Sequence, residues 1–253
     1  MRGDVRGDAG VDDEGPARPG RRRLVRGVLT GAAAVAAGLV AGFPRAPSSA
    51  PAGGGAGSRP TTPDSALEAL VEGNARWRTY HERHPDQTRT VRRTLVAGQH
   101  PFAVVLGCVD SRVPPELVFD QGLGDLLTVR SAGEVLDEAV LGSIAYGVLE
   151  LRIPLVVVLG HQSCGAVAAA VRAAEGGPLL PGHMQYLVDQ IRPAIDRTLR
   201  GAARIDAAIT ANVRLVGARL AAEPELAAKV AAGSLAVVGA RYELTSQRVR
   251  LIP

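Results

Sequence analysis

The stretch "LVVVLGHQSCGAVAAAVRAA", residues 155–174, passes from a continuous apolar run through a polar turn into an alanine-rich segment. Leu155 to Gly160 shows no polar alternation, so a strand built from it is buried on both faces, as in a parallel sheet covered by helices. A second run, Phe102 to Leu106, leads into "GCVDSRVPPE", residues 107–116. The only two cysteines of the chain, Cys108 and Cys164, each lie just beyond one of these runs. In open parallel sheets, ligands bind beyond the carboxyl ends of the strands.

Outward from these runs, strands and helices alternate. "SALEALVEGNARWRTY", residues 65–80, has apolar residues at helical spacing, and Ser65 to Glu68 has the form of a capping box. A short strand is expected at Leu126–Arg130 and a helix at about residues 136–151, with Asp137 and Glu138 in its first turn. Helices follow near residues 184–199 and 205–222, then a strand in "SLAVVGARYEL" and a short ending "RVRLI". The pattern predicts an α/β fold with a mostly parallel central sheet flanked by helices.

The chain has 253 residues and a formal net charge of +4, but residues 1–60 hold nine Arg against five Asp or Glu. The remainder is balanced, and with four Tyr, three Phe and one Trp it lacks the basic stripe and stacking aromatics of a nucleic-acid binder. "RRRLVRG", residues 21–27, followed by the mild apolar stretch Val28 to Phe43 and an Ala50-Pro51-Ala52 cleavage site, reads as an export signal. Its consecutive arginines and Gly/Ala-rich core resemble a twin-arginine signal, which implies transient contact with the twin-arginine export machinery. The expected organisation is therefore an export signal at residues 1–52, a flexible linker at 53–63 and an α/β domain at 64–253. The protein would be exported to periplasm, cell wall or exterior; an uncleaved N-terminal membrane tether is the alternative.

Cys108, Asp110, His161 and Cys164 form the constellation that carries chemistry. Two thiolates and an imidazole suit Zn²⁺, and three protein ligands leave a fourth, catalytic position open. The helix beginning at Cys164 would favour its thiolate. Asp110 can either close the site as the fourth ligand or pair with Arg112 and leave that position to water, whose pKa zinc lowers to about 7. A small electrophile such as CO₂ suits such a site. Two bland readings stand beside this one: the cysteines form a single disulfide or are buried apolar residues, and Asp110–Arg112 is a structural ion pair.

"CVDSR" and "HQSC" strongly resemble the Cys-x-Asp-Ser-Arg and His-x-x-Cys motifs of β-class carbonic anhydrases, and the likeness extends through "VFDQGLGDLLTVRSAGEVLDEAVLGSIAYGVLEL" to about residue 173. The resemblance implies reversible hydration of CO₂ to bicarbonate, with one zinc per chain held by Cys108, His161 and Cys164. Asp110 and Arg112 are then the catalytic dyad. It further implies a substrate pocket of Gln99, Tyr146, Leu127 and the Gly165 amide, completed across a homodimer or homotetramer interface on which the N-terminal helix packs. Val105 stands where family members with an inhibitory bicarbonate site carry Trp, and Ser131 replaces a common Asn. Alternatives are hydrolysis of COS or CS₂ on the same scaffold, or an exported zinc-binding or disulfide-containing protein without turnover.

Overall fold

The computed structural model describes residues 59–253. The export-signal and cleavage-site expectations, the tether and most of the linker lie outside these residues. Five strands form one sheet in the order β2-β1-β3-β4-β5: β1 (Ala103–Gly107), β2 (Leu126–Arg130), β3 (Leu155–His161), β4 (Ala236–Glu243) and β5 (Arg248–Ile252). The first four are parallel and β5 is an antiparallel edge. Every residue of β1 and β3 is buried, as their unbroken apolar runs require.

Alternate side chains of these strands enter different cores. Val104, Leu106, Val156 and Val158 pack against helices α4 (Glu138–Leu149), α7 (Gly201–Ala222) and α8 (Pro224–Ala231). Ala103, Val105, Leu155, Val157 and Leu159 face the other way, toward α1 (Pro63–Arg78) and the short α3 (Pro115–Val118). A third cluster closes the carboxyl end of the sheet, where Cys108 and Cys164 sit among residues of α5 (Gly165–Ala174), α6 (His183–Ile191) and α7. The remaining helix, α2 (Arg89–Thr94), precedes β1.

The chain leaves β1 to one side for β2 and returns to the other side for β3. The carboxyl ends of β1 and β3 therefore flank the switch point of the topology, where an open α/β sheet leaves a crevice. Pairing of Gly107 with Leu159 brings Cys108 and His161 to the same end of adjacent strands.

Several boundaries differ from the sequence expectation. Thr62, not Ser65, caps α1: its hydroxyl accepts from Ser65 N at 3.2 Å and Ser65 Oγ accepts from Thr62 N at 3.2 Å. Pro63 at the first helical position fixes the backbone for that start. Asp137 is the cap of α4, accepting from Val140 N at 2.8 Å, and lies just outside the helix. The helix expected over 184–199 ends at Ile191, because Pro193 lacks the N–H needed to continue it. Helix α8 was hidden by Pro224, which opens it.

Helix α1 lies on the sheet of its own chain, with Ala66 and Leu70 buried beside Val105 and Val157. The buried Asn74 donates to Val118 O and Gln247 O, each at 3.0 Å, and accepts from Val249 N at 2.8 Å. Gly73 lets the helix approach so closely, since a Cβ there would stand 1.7 Å from Phe119 O. No helix among the described residues is long and apolar enough to cross a membrane.

Candidate metal centre and active site

β1 delivers Cys108 and β3 delivers His161, while Cys164 arrives through a tight turn. Ser163 takes the left-handed conformation, φ 58°, and this folds the chain back so that His161 and Cys164, the residue capping α5, face one point. The sulfurs of Cys108 and Cys164 are 4.0 Å apart, and the donor atoms of Cys108, His161 and Cys164 all lie within 4.8 Å of one another. Both cysteines are free, which removes the disulfide reading.

This donor set fits a zinc ion. Two sulfurs bound tetrahedrally to one Zn²⁺ at about 2.3 Å stand about 3.8 Å apart, close to the separation here. His161 is fully buried, and its Nδ1–H donates to Gln162 O at 2.9 Å. That bond leaves Nε2 as a bare acceptor, and Nε2 has no hydrogen-bond partner. A buried imidazole nitrogen without a partner beside two buried sulfurs is what a borderline-soft cation satisfies.

Without a metal, the two buried sulfurs are coupled to each other. Cys108 is held low, at about 4, chiefly by the hydrogen bond from the Cys164 thiol, with burial opposing. Cys164 is pushed up by donating that bond and by burial, despite its place at the start of α5. Two buried thiols so close share one proton, and direct contact outweighs the helix terminus. A cation binding both sulfurs displaces that proton.

Asp110 stands beside the cluster, with Oδ2 3.9 Å from His161 Nε2. Its carboxylate is gripped by Arg112 through Nε–H to Oδ1 at 2.9 Å and Nη2–H to Oδ2 at 2.8 Å, and the Arg112 backbone N–H donates to Oδ1 at 3.0 Å. Of the two arrangements open to Asp110, the structure holds the pairing with Arg112. Chiefly through that side-chain bond, the carboxyl lies far below the usual carboxylate range.

Three contributors escaped sequence reading. Arg130, at the end of β2, donates from Nε to Cys108 O at 2.8 Å and from Nη2 to Asp110 O at 2.7 Å, clamping the backbone that carries both residues. Gly133 N donates to Cys108 Sγ at 3.4 Å. Glu134 is fully buried next to the cluster, with Oε1 unpartnered. The position of Arg130 opposite Gly107 follows from strand register, which the sequence states only once the strands are aligned.

The expected substrate-pocket residues are not gathered at this site within one chain. Gln99 is exposed and precedes β1, at the opposite end of the sheet. Leu127 pairs with Val104, about 13 Å along the strand from Cys108. Tyr146 is half exposed, two turns down α4. Gly165 does reach the site: it opens α5, with open space above its Cα, and its N–H is one that no helical carbonyl can take. The apolar cavity of about 250 Å³ between α1 and β5, lined by Leu70, Val71, Phe119 and Val249 among others, carries no metal donor.

Together these features define a metal-dependent enzyme with its site at the switch point of a parallel sheet. The family model described as carbonic anhydrase matches residues 103–249. Carbonic anhydrase 2 of Mycobacterium tuberculosis is 45% identical over 193 residues, covering 76% of this chain and 93% of the relative. The carbonic anhydrase of Mycolicibacterium smegmatis is 44% identical over 193 residues, covering 76% of this chain and 94% of that one. Among solved structures, the β-carbonic anhydrase CcaA superposes with a TM-score of 0.60 at 25% identity, covering 73% of this chain and 94% of its own. The chain belongs to the β-carbonic anhydrase family.

Two outcomes are expected. The purified protein carries about one zinc per chain, and Cys164→Ala removes it, read by elemental analysis; full zinc retention in the variant would refute this ligand set. Burial, aided by the negative Cys108 sulfur, pushes the Glu134 carboxyl well above the usual range. Such an acid keeps its proton in the fold after the unfolded chain has lost it, so its burial costs stability increasingly as pH rises. Glu134→Gln should then raise the melting temperature of the metal-free protein by on the order of 3 °C at pH 8 and by less at pH 5; equal shifts at both would contradict it.

Proposed function

We propose that this protein catalyses the reversible hydration of CO₂ to bicarbonate and a proton, with Cys108, His161 and Cys164 holding zinc. The observation that carries the reading is a three-donor cluster with an ionised carboxylate beside it that Arg112 keeps from joining it. Zinc held there supplies Lewis acidity that makes water nucleophilic near neutral pH.

The chain's own groups orient the reaction. Asp110, anionic at any working pH, accepts a hydrogen bond from the attacking water and turns a lone pair toward CO₂. Arg112 holds the carboxylate in that direction and supplies the positive charge that keeps it ionised. Arg130 fixes the backbone on which Cys108 and Asp110 ride. The Gly165 N–H, at the positive end of α5, suits the developing bicarbonate oxygen.

The exposure of Gln99 and Tyr146, and of Val109 between Cys108 and Asp110, supports a homodimer or homotetramer in which a second copy supplies the pocket walls together with Leu127, with α1 part of the contact. Multi-angle light scattering should report a dimer or tetramer; a fully active monomer would sink the assembly. The arginine cluster at residues 21–23 and the Gly/Ala-rich stretch after it support export by the twin-arginine route. Replacing Arg21, Arg22 and Arg23 by Lys should retain the protein in the cytoplasm, and unchanged export would exclude that route.

Stopped-flow measurement should show rapid CO₂ hydration. Asp110→Asn and Arg112→Ala are each expected to lower kcat/KM by about 100-fold with zinc content unchanged. Wild-type activity in both variants would remove the dyad from the reaction.

A further inference from the structure

The β2–α4 connection carries a support for the metal centre that begins 48 residues beyond Cys164, on α7. Gly133 and Glu134 adopt successive left-handed conformations, φ 67° and 53°. The turn is boxed on one side, since a Cβ on Gly133 would stand 2.8 Å from Ile191 Cδ1 and 3.2 Å from Ala166 Cβ. Its N–H faces the Cys108 sulfur at 3.4 Å. Asn212, 1% exposed, donates from Nδ2 to Gly133 O at 2.8 Å.

We propose that Asn212 is a positioning residue for the metal centre, acting through the Gly133 peptides on the Cys108 sulfur. The inference rests on the reading of Cys108 as a zinc ligand. A glycine tolerates several backbone conformations at little cost, so the turn alone does not determine where the Gly133 N–H points. A buried carbonyl needs a donor, and Asn212 is the donor this one finds. Holding that carbonyl sets φ and ψ of Gly133 and aims its N–H at the sulfur. A hydrogen bond there spreads the thiolate charge and fixes the direction in which Cys108 offers its lone pair. Such outer supports act on metal affinity by about 10–100-fold.

The test uses the full-length protein and two variants of α7. Asn212→Leu keeps the side-chain size and removes the donor. Val216→Ala, one turn further on and 3% exposed, weakens the packing of the same helix without touching the turn. Zinc affinity is read by competition with a chelator, and the thiolate-to-metal charge-transfer band is read after loading with Co²⁺. Asn212→Leu should weaken zinc binding about 10–100-fold and shift the band, whereas Val216→Ala should lower the melting temperature and leave both unchanged. If leucine prevents folding, Asn212→Ser, small and too short to reach Gly133, should show the same losses. Zinc affinity within twofold of wild type with an unmoved band, or losses that merely match those of Val216→Ala, overturns the proposal. A wild-type protein that binds neither zinc nor Co²⁺ overturns the metal reading itself, and this inference with it.

Discussion

The parallel pairing of β1 with β3 is the constraint on which the rest depends. It sets Gly107 beside Leu159, so the residues that follow each strand emerge at one end of the sheet. Cys108 and Cys164 are 56 residues apart in the chain, yet their sulfurs stand 4.0 Å apart. Loop closure over that distance is offset by the burial of two apolar strands and the helices that cover them. The metal-binding group is thus a by-product of the same packing that stabilises the domain, and it comes prearranged.

Around that group the charges divide into two tasks. The buried donors, two sulfurs and an imidazole, are too costly to leave unsatisfied, and the two sulfurs are too close together to be thiolates at once without a cation. The partly exposed Asp110 is paired with Arg112, three hydrogen bonds holding it ionised and off the cluster. The two settings differ by only two residues in the chain. What separates them is depth, because Cys108 lies beneath the sheet end and Asp110 at its rim.

Second-layer groups explain how a short turn segment holds its geometry. Arg130 bonds the carbonyls of Cys108 and Asp110, and the Ser131–Glu134 segment lays a backbone N–H on the Cys108 sulfur. Helix α7 contributes to the core beneath the sheet and to the tie on Gly133, so one element serves both stability and the site. Glu134 is the anomaly of the region. Burial and the negative sulfur beside it oppose the ionisation of its carboxyl, and nothing in the structure partners its Oε1.

The sequence by itself pointed to the sheet, the position of four strands and the grouping of Cys108, His161 and Cys164 with Asp110 and Arg112 beside them. These are local signals: an unbroken apolar run specifies a strand buried on both faces, and Cys-x-Asp-x-Arg and His-x-x-Cys need only the turn they sit in. Tertiary structure decided that Asp110 lies paired with Arg112, that the two sulfurs stand close enough to share a proton, and that Arg130, Gly133 and Asn212 bond around the Cys108 turn. It also showed that Gln99, Leu127 and Tyr146 do not reach Cys108 within one chain. Those outcomes depend on distances of a few ångströms between segments far apart in the chain, and side-chain patterning encodes which face a residue takes, not what it meets there.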